Sequence, residues 1–399
     1  MTVEVDRSRI IAYQRCPRER FLGYHIHGKG LQRKAKSLPL QVGSAFHEGA
    51  ELLLANDIEG AVKRATGYLQ KAFAEKGVGL DGEEQTDASL LYSAQEQMAL
   101  SEALIRAWGL ERLEEFLQTF EVVEVEKEGR AELAPDLTLM FRPDALVRDR
   151  LSGDLYVVSW KTAASYGKRT LQQCRTDMQS MSEVWGIEAS SNDAPRIEGT
   201  LYLFIVKGKR QFDEPWGDQP GQWKQNTHLL YAWKNVKPKS DDDEMWSWSF
   251  KWTDETGGHS LGKGWKKVSV WDNYPGGTKA WIEDLHNRSI FPRHVDPFES
   301  VFPQSLPVER RADEVERWKR QVVAQELDVA AKVADIESLV LEDRSLEETL
   351  DIHFPQYTHS CSAYSGCSFI DICHHGVPAE PGELYQIRSA NHPESEEEE

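Results

Sequence analysis

Residues 157–163, VVSWKTA, have the pattern of a buried strand that ends at a charged side chain. Two valines precede a Ser-Trp-Lys step, and a short apolar run with β-branched residues is typical of a strand inside a sheet. Lys161 closes that run, and burying its charge costs free energy unless a partner compensates it. The stretch therefore predicts a central strand and, at its end, a site that uses the lysine.

The segments around this stretch predict a mixed α/β fold. The expected strands are 119–127, two within 136–149, 153–162 and 199–209. A helix is expected between the last two of these, at about 170–189. The order of helix, three strands, helix and strand favours a mixed sheet flanked by helices over a doubly wound parallel sheet.

The N-terminal part of the chain is expected to be helical. Residues 7–24 predict two short helices with a turn between them, and a long helical region is expected at about 88–118. Residues 38–55 predict a loop, a Gly-Ser entry and an amphipathic helix. On that helix His47 and Glu51 are four residues apart and therefore share a face.

Composition and charge limit the classes of protein to consider. The chain has 399 residues, 40% hydrophobic and 28% charged, which is typical of a globular protein. No apolar run approaches the roughly 20 residues of a membrane span, and no secretory leader opens the sequence, so we expect a cytoplasmic protein. The net charge of -19 argues against a general nucleic-acid coat.

That charge is unevenly distributed. The terminal PESEEEE (393–399) is acidic and is expected to be disordered. Residues 1–40 contain nine Lys or Arg against three acids, and residues 161–175 contain four basic residues and no acid. A local basic surface is therefore compatible with the negative total.

Residues 210–281 contain nine of the thirteen tryptophans. Within them WSWSFKW (246–252) places aromatic side chains on one face of an expected strand. The pattern favours a small β insertion with an aromatic core, and the alternative is a platform on which bases stack.

Four short motifs, including the one that contains Lys161, occur in an order that is typical of a known family. GSAFHEG (43–49), RPDAL (142–146) and SWKTA (159–163), followed by DMQSMSEVW (177–185), resemble the PD-(D/E)XK nuclease superfamily, and in particular its RecB-like branch, which includes AddB and the CRISPR adaptation nucleases. The resemblance implies a restriction-endonuclease-like core that hydrolyses phosphodiester bonds with Mg²⁺ or Mn²⁺.

The resemblance also implies roles for individual residues. His47 and Asp144 correspond to metal ligands, Lys161 to the catalytic lysine, and Gln179 to a glutamine that helps hold the DNA or the site. A carboxylate at Asp144 suits a divalent cation, and the lysine suits the charge that develops on a phosphate.

Ser159 departs from the family pattern, because an acid usually stands two residues before the lysine. A serine hydroxyl is a weak ligand for a hard cation. Either the acid has moved, with Glu183 the first candidate, Asp177 a weaker one rotated away on the helix and Glu51 a third, or the site is silent and the protein only binds DNA or a partner.

The cysteines form a separate pattern. Cys361, Cys367 and Cys373 stand at five-residue intervals, Cys16 is alone near the N-terminus, and Cys174 has no obvious partner. The spacing lacks the C-x-x-C pairs of structural zinc, although nearby histidines at 359, 374 and 375 leave zinc open. The resemblance implies a [4Fe-4S] cluster held by Cys16, Cys361, Cys367 and Cys373, here called the cysteine clasp. Reduced thiols that bind no metal are the remaining alternative.

Taken together, these patterns predict five regions. They are an N-terminal helical region with Cys16 and the His47 helix (1–118), the nuclease core (119–209), the Trp-rich β insertion (210–300), a C-terminal helix with the cysteine cluster (301–378) and an acidic tail (379–399). The implied activity is exonuclease action on single-stranded DNA ends, in recombination, repair, or phage and mobile-element DNA processing. No G-x-x-x-x-G-K-[ST] motif is present, so unwinding would require a helicase or recombination partner.

Overall fold

The computed structural model describes most of the chain outside the Trp-rich segment. The described residues are 3–34, 38–74, 88–163, 166–190, 195–206, 302–303, 307–341, 345–362 and 366–389, together with five short strands between 210 and 269. The helices are α1 (Arg7–Arg15), α2 (Pro17–Tyr24), α3 (Leu38–Leu54), α4 (Ile58–Ala74), α5 (Ala88–Glu111), α6 (Leu113–Thr119), α7 (Lys168–Arg175), α8 (Met178–Ala189), α9 (Ala312–Leu341), α10 (Leu346–His353) and α11 (Ile370–His375). The strands are β1 (Val3–Val5), β2 (Leu31–Arg33), β3 (Phe120–Val125), β4 (Gly129–Ala134), β5 (Leu137–Phe141), β6 (Ala145–Asp149), β7 (Leu155–Ala163), β8 (Ile197–Val206), β9 (Arg210–Asp213), β10 (Gln222–Gln225), β11 (Tyr231–Asn235), β12 (Trp248–Ser249), β13 (Trp265–Ser269), β14 (Val308–Glu309) and β15 (Tyr385–Ile387).

A five-stranded mixed sheet contains the strand that carries Lys161. Its order is β14-β8-β7-β6-β3, and β7 pairs parallel with β8 but antiparallel with β6. The parallel pair requires a helical connection, which α7 and α8 provide. The mixed α/β class predicted from the sequence is confirmed.

The two strands predicted within 136–149 belong to different sheets. β6 lies in the five-stranded sheet, whereas β5 pairs antiparallel with β4 and parallel with β1. The chain crosses from one sheet to the other at Arg142-Pro143-Asp144. The RPD motif is therefore a crossing point between sheets, and this fixes where the aspartate stands relative to β7.

Helices cover both faces of the β7 strand. On one face Trp160 packs against Phe46 of α3 and Trp108 of α5, with ring centroids 5.4 and 4.8 Å away. On the opposite face Val157 belongs to a buried cluster with Val184 and Trp185 of α8. Since side chains alternate along a strand, Ser159 and Lys161 lie on the α8 side with Val157.

Two predicted helix boundaries were wrong. The predicted loop and Gly-Ser entry are already helical, because α3 begins at Leu38. A Cβ at Gly43 would lie 2.7 Å from Thr162 Oγ1, so the glycine allows α3 to approach β7 closely rather than starting the helix. The helix predicted at 170–189 is two helices, separated at Thr176-Asp177, and the Asp177 side chain caps α8 by accepting from the Gln179 N–H.

The two ends of the described chain meet away from the sheet. β15 pairs antiparallel with β2, and Arg20 of α2 forms a buried ion pair with Glu326 of α9 at 2.6 Å. Phe21, Phe354 and Phe369 share one hydrophobic cluster there. This packing brings the N-terminal helices next to the cysteine-containing segment.

In the Trp-rich region, β9 pairs with β10, and β11 lies between β12 and β13. The aromatic face predicted for 246–252 lies outside the described side chains, and the acidic 393–399 lies outside the described residues. Among the helices that are described, none has the length and apolar character needed to cross a bilayer.

Candidate active site

Lys161 projects from β7 into a polar site formed with α8. Its Nζ donates to Gln179 Oε1 at 2.5 Å and lies 3.4 Å from Asp177 Oδ2. The ammonium also lies 5.8 Å from the centre of the Tyr202 ring. The partners that the sequence demanded for this charge are thus at the start of α8 and on β8, and the side chain remains 26% exposed.

Asp144 lies at the end of the crossing between the two sheets, and its side chain accepts a hydrogen bond from β7 beyond the point where β6 pairs with that strand. β6 begins at Ala145, opposite Val158, so β7 continues beyond it, and the Trp160 N–H donates to Asp144 Oδ2 at 2.6 Å. His47 Nδ1 of α3 lies 3.3 Å from the other carboxylate oxygen. Burial pushes the Asp144 pKa upward, but His47, the Trp160 N–H and the Lys161 charge outweigh it, and the pKa falls below its usual value.

Glu183 is the buried acid of the site. Its side chain is 3% exposed, and Oε1 accepts from Gln179 Nε2 at 2.8 Å. The second oxygen, Oε2, is buried and has no hydrogen-bond partner within the described part of the chain. Burial, followed by the charge of Asp144, raises the pKa of Glu183 to about 8.

Gln179 connects the two charged groups. Its amide oxygen accepts from Lys161 and its amide nitrogen donates to Glu183, one turn further along α8. An amide is suited to this position because it offers an acceptor and donors on the same side chain. Lys161, Gln179 and Glu183 therefore form one hydrogen-bonded row that faces Asp144.

Ser159 lies on the same face of β7 as Lys161 and is fully buried. Its hydroxyl has no hydrogen-bond partner among the residues that the structure describes. The position that usually carries the acid is thus next to the site but contributes only a small neutral group. The nearby buried carboxylate comes from α8 instead.

The two lesser candidates for the missing acid differ from their predicted placement. Asp177 is not rotated away, because it is the cap of α8 rather than a residue within it, and it contacts Lys161. Glu51 is 43% exposed and pairs with Arg64 of α4. The structure therefore brings Asp177 into contact with Lys161, whereas Glu51 pairs with Arg64.

Arg310 is a site residue that the sequence did not indicate. It is 4% exposed and lies directly after β14. Its guanidinium donates to the carbonyls of Cys174 and Arg175 at 2.6 and 2.7 Å, which are the last carbonyls of α7. In the sequence it stands beside Arg311, and no pattern distinguishes the two.

Further contacts of Arg310 reach the α8 cap. The guanidinium donates to Ser180 Oγ at 2.8 Å and to the Tyr202 hydroxyl at 3.0 Å. The same hydroxyl lies 3.2 Å from Asp177 Oδ2. Arg310 thus holds the junction of α7 and α8, from which Lys161 receives two of its partners.

The four residues of the cysteine clasp lie near one another. The N–H of Tyr357 donates to Cys16 Sγ and that of Phe369 to Cys367 Sγ, both at 3.4 Å. Burial raises the pKa of Cys373 to about 11, and the other three clasp thiols act in the same direction. All five cysteines are free of disulfides, and Cys174 is buried separately beside Tyr202.

The candidate metal ligands can be compared with the divalent cation and the iron-sulfur cluster that the family resemblance implies. As the side chains stand, no three His, Cys, Asp or Glu residues within the described segments are arranged to hold a metal ion. The chemistry of both sets nevertheless fits. Asp144 and the unpartnered oxygen of Glu183 are hard donors suited to Mg²⁺ or Mn²⁺, and four thiols suit iron-sulfur ligation.

The sequence matches the model of one protein family. The family model of the PD-(D/E)XK nuclease superfamily matches residues 7–374, which is nearly the whole chain. No curated protein matches the sequence.

Proposed function

Because the chain belongs to the PD-(D/E)XK nuclease superfamily, we propose that it is a RecB-like, metal-dependent nuclease that degrades single-stranded DNA from its ends. The observation that carries the proposal is the row Lys161, Gln179 and Glu183, which faces Asp144 and leaves one buried carboxylate oxygen without a partner. Such an oxygen is costly to bury unless a cation joins it.

The proposed metal ligands are His47, Asp144 and Glu183. When bound there, Mg²⁺ or Mn²⁺ supplies Lewis-acid polarisation of the phosphate. Asp144 is already held by the Trp160 N–H, which fixes the orientation of its carboxylate. Glu183 supplies, from α8, the acid that Ser159 does not.

Lys161 is the proposed catalytic group from the chain itself. Its ammonium donates protons in hydrogen bonds to a phosphate oxygen as negative charge develops there. Gln179 and Asp177 hold that ammonium at 2.5 and 3.4 Å before substrate arrives, so little reorganisation is required. Gln179 also fixes the position of the Lys161 side chain relative to Glu183, because it is hydrogen-bonded to both.

The proposed setting is DNA recombination, repair, or phage and mobile-element DNA processing in the cytoplasm. A helicase or recombination protein is the proposed partner, since the sequence contains no G-x-x-x-x-G-K-[ST] motif. DNA as the substrate follows from the superfamily.

The central test is cleavage of end-labelled linear and circular single-stranded DNA. We expect degradation of the linear strand with Mg²⁺ or Mn²⁺, none with EDTA, and survival of the circle. Cleavage of both forms would replace end-directed with internal cutting. Absence of cleavage with either metal, together with DNA binding unaffected by EDTA, would favour the second candidate.

That second candidate is a catalytically silent DNA-binding or assembly subunit with the same fold. One observation favours it: a serine occupies the position of the usual acid, and its hydroxyl is buried without a partner. The buried Glu183 beside Asp144 favours the active enzyme, because a silent site would have no use for two opposed carboxylates.

We further propose that the cysteine clasp holds a [4Fe-4S] cluster, with zinc as the alternative. The support is the convergence of four free thiols from the two ends of the described chain. A cluster there would tie α2 to the segment around α11 and close a very long loop. Its role would be structural.

Substitution Cys367→Ser is expected to abolish visible absorbance and to lower the bound iron from about four atoms per chain toward zero. The thermal midpoint should fall as well, because the closure of the chain ends is lost. Absorbance, iron content and a melting curve measure the three effects. Cys174→Ser is the control, because it removes a buried thiol outside the clasp; a colourless wild-type protein that contains zinc would contradict the cluster.

A further inference from the structure

The exposed face of α7 is distinctive in its charge. Lys168, Gln172 and Arg175 are spaced by four and three residues and form one exposed stripe, and Arg169 and Gln173 are exposed beside it. The opposite side of the helix is packed, with Cys174 buried against Tyr202 and Phe204. The helix thus offers three cations and two amides to solvent, and no acid.

These cations lack the acidic partners that are common elsewhere in the chain. Within the described segments, no carboxylate lies within ion-pair distance of Lys168, Arg169 or Arg175. Several exposed arginines in other elements are paired instead: Arg64 with Glu51, Arg148 with Glu121, Arg196 with Glu198, Arg311 with Asp313. In a chain with a net charge of -19, an unpaired basic stripe requires another explanation than solubility.

The stripe is rigidly attached to the proposed active site. The last turn of α7 is held by Arg310, whose donors reach the Cys174 and Arg175 carbonyls, and by the Tyr202 hydroxyl, 3.1 Å from Cys174 O. Tyr202 in turn lies beneath the Lys161 ammonium. The C-terminal end of α7 therefore lies next to the proposed site, and the helix that carries the basic face is about 10 Å long, from the rise of 1.5 Å per helical residue.

We propose that the exposed face of α7 binds the phosphate backbone of the DNA strand that enters the active site. This inference rests on the proposed nuclease function and adds to it the surface that holds the strand. Lys168, Arg169 and Arg175 neutralise phosphates, and Gln172 and Gln173 donate hydrogen bonds to phosphate or sugar oxygens, so the contacts are independent of sequence. Charge complementarity identifies the partner as a nucleic acid.

The test measures binding of fluorescently labelled single-stranded DNA in EDTA over a range of salt concentrations. In the variant Lys168→Gln, Arg169→Gln, Arg175→Gln, three lost phosphate contacts should reduce the slope of log Kd against log salt by about 2, and raise Kd roughly 100-fold near 0.1 M salt. The charge-preserving variant Lys168→Arg, Arg169→Lys, Arg175→Lys should bind as the wild type does.

A matched control removes three exposed cations elsewhere: Lys63→Gln and Lys71→Gln on α4 and Arg320→Gln on α9. This control should retain the wild-type slope. An equal loss in both triple variants would show that only net charge matters and would overturn the proposal.

The other outcomes separate the α7 surface from the nuclease function. Unchanged binding in the α7 variant, with wild-type protein that binds and cleaves, would overturn the α7 surface alone. Wild-type protein that neither binds nor cleaves DNA would overturn the nuclease function too. Equal displacement of DNA by polyglutamate would point to an acidic protein partner instead.

Discussion

Glu183→Gln should lower the rate of metal-dependent DNA cleavage by roughly 10³-fold, since a metal-binding charge contributes several kcal/mol to the transition state. Glutamine has nearly the same shape and retains an oxygen that accepts from Gln179 Nε2, so the row with Lys161 can persist. What disappears is the negative charge that Glu183 would bring to a metal ion bound beside Asp144. Initial rates on end-labelled single-stranded DNA, with Mn²⁺ titrated to saturation, measure the loss.

A second substitution sharpens this experiment. Ser159→Asp introduces the acid at the position on β7 that faces the same side as Lys161. In the Glu183→Gln background it should restore part of the lost activity, because the two positions would then exchange roles. Glu316→Gln, on the exposed side of α9, is the matched control and should cleave at the wild-type rate.

The result also separates the two proposed functions. Wild-type activity in Glu183→Gln would show that the acid has not moved to α8. If the wild type and Glu183→Gln both fail to cleave but Ser159→Asp in the wild-type background gains activity, the native chain is the silent subunit with a site that one carboxylate repairs.

The small side chain at position 159 is compatible with a carboxylate at position 183. Glu183 already resists ionisation, with a pKa of about 8 caused by burial and then by Asp144. A third carboxylate in the same volume would increase that repulsion. A buried serine avoids this repulsion. Ser159 and Glu183 are therefore compatible with a site that needs one acid besides Asp144 and takes it from α8.

Local sequence patterns predicted the elements but not how they pair. The apolar run before Lys161 identified β7 because periodicity is a local property. The separation of β5 from β6 depends on pairing with Val3–Val5, which is distant in sequence. The break at Thr176-Asp177 was missed because helix periodicity continues across it, although an aspartate two residues before Gln179 was a possible capping signal.

The site was predictable to the extent that its residues lie in motifs. His47, Asp144, Lys161, Gln179 and Glu183 all stand in quoted motifs, and the structure brings them together, while their roles stay proposals. Arg310 could not be found in this way. It acts through the carbonyls at the end of α7, and backbone carbonyls leave no trace in sequence.

Lys161→Met should reduce the maximal cleavage rate by about 10²–10³-fold, the usual effect of removing one preorganised donor to a developing charge. Methionine retains most of the length of the side chain and its packing over Tyr202, but it cannot donate to a phosphate oxygen. Because Gln179 and Asp177 hold the ammonium before substrate binds, the loss should fall on the maximal rate and leave the DNA affinity in EDTA nearly unchanged.

Rates at saturating DNA and anisotropy in EDTA distinguish this expectation from a simple loss of charge. Lys71→Met, at an exposed position in the last turn of α4, removes the same charge from a residue outside the site and should alter neither quantity. A weaker DNA affinity with an unchanged maximal rate in Lys161→Met would make the lysine part of the basic surface with α7 rather than a catalytic group. The position of the ammonium argues for catalysis, because a lysine that only attracts DNA has no need of two fixed partners on α8 and a buried strand beneath it.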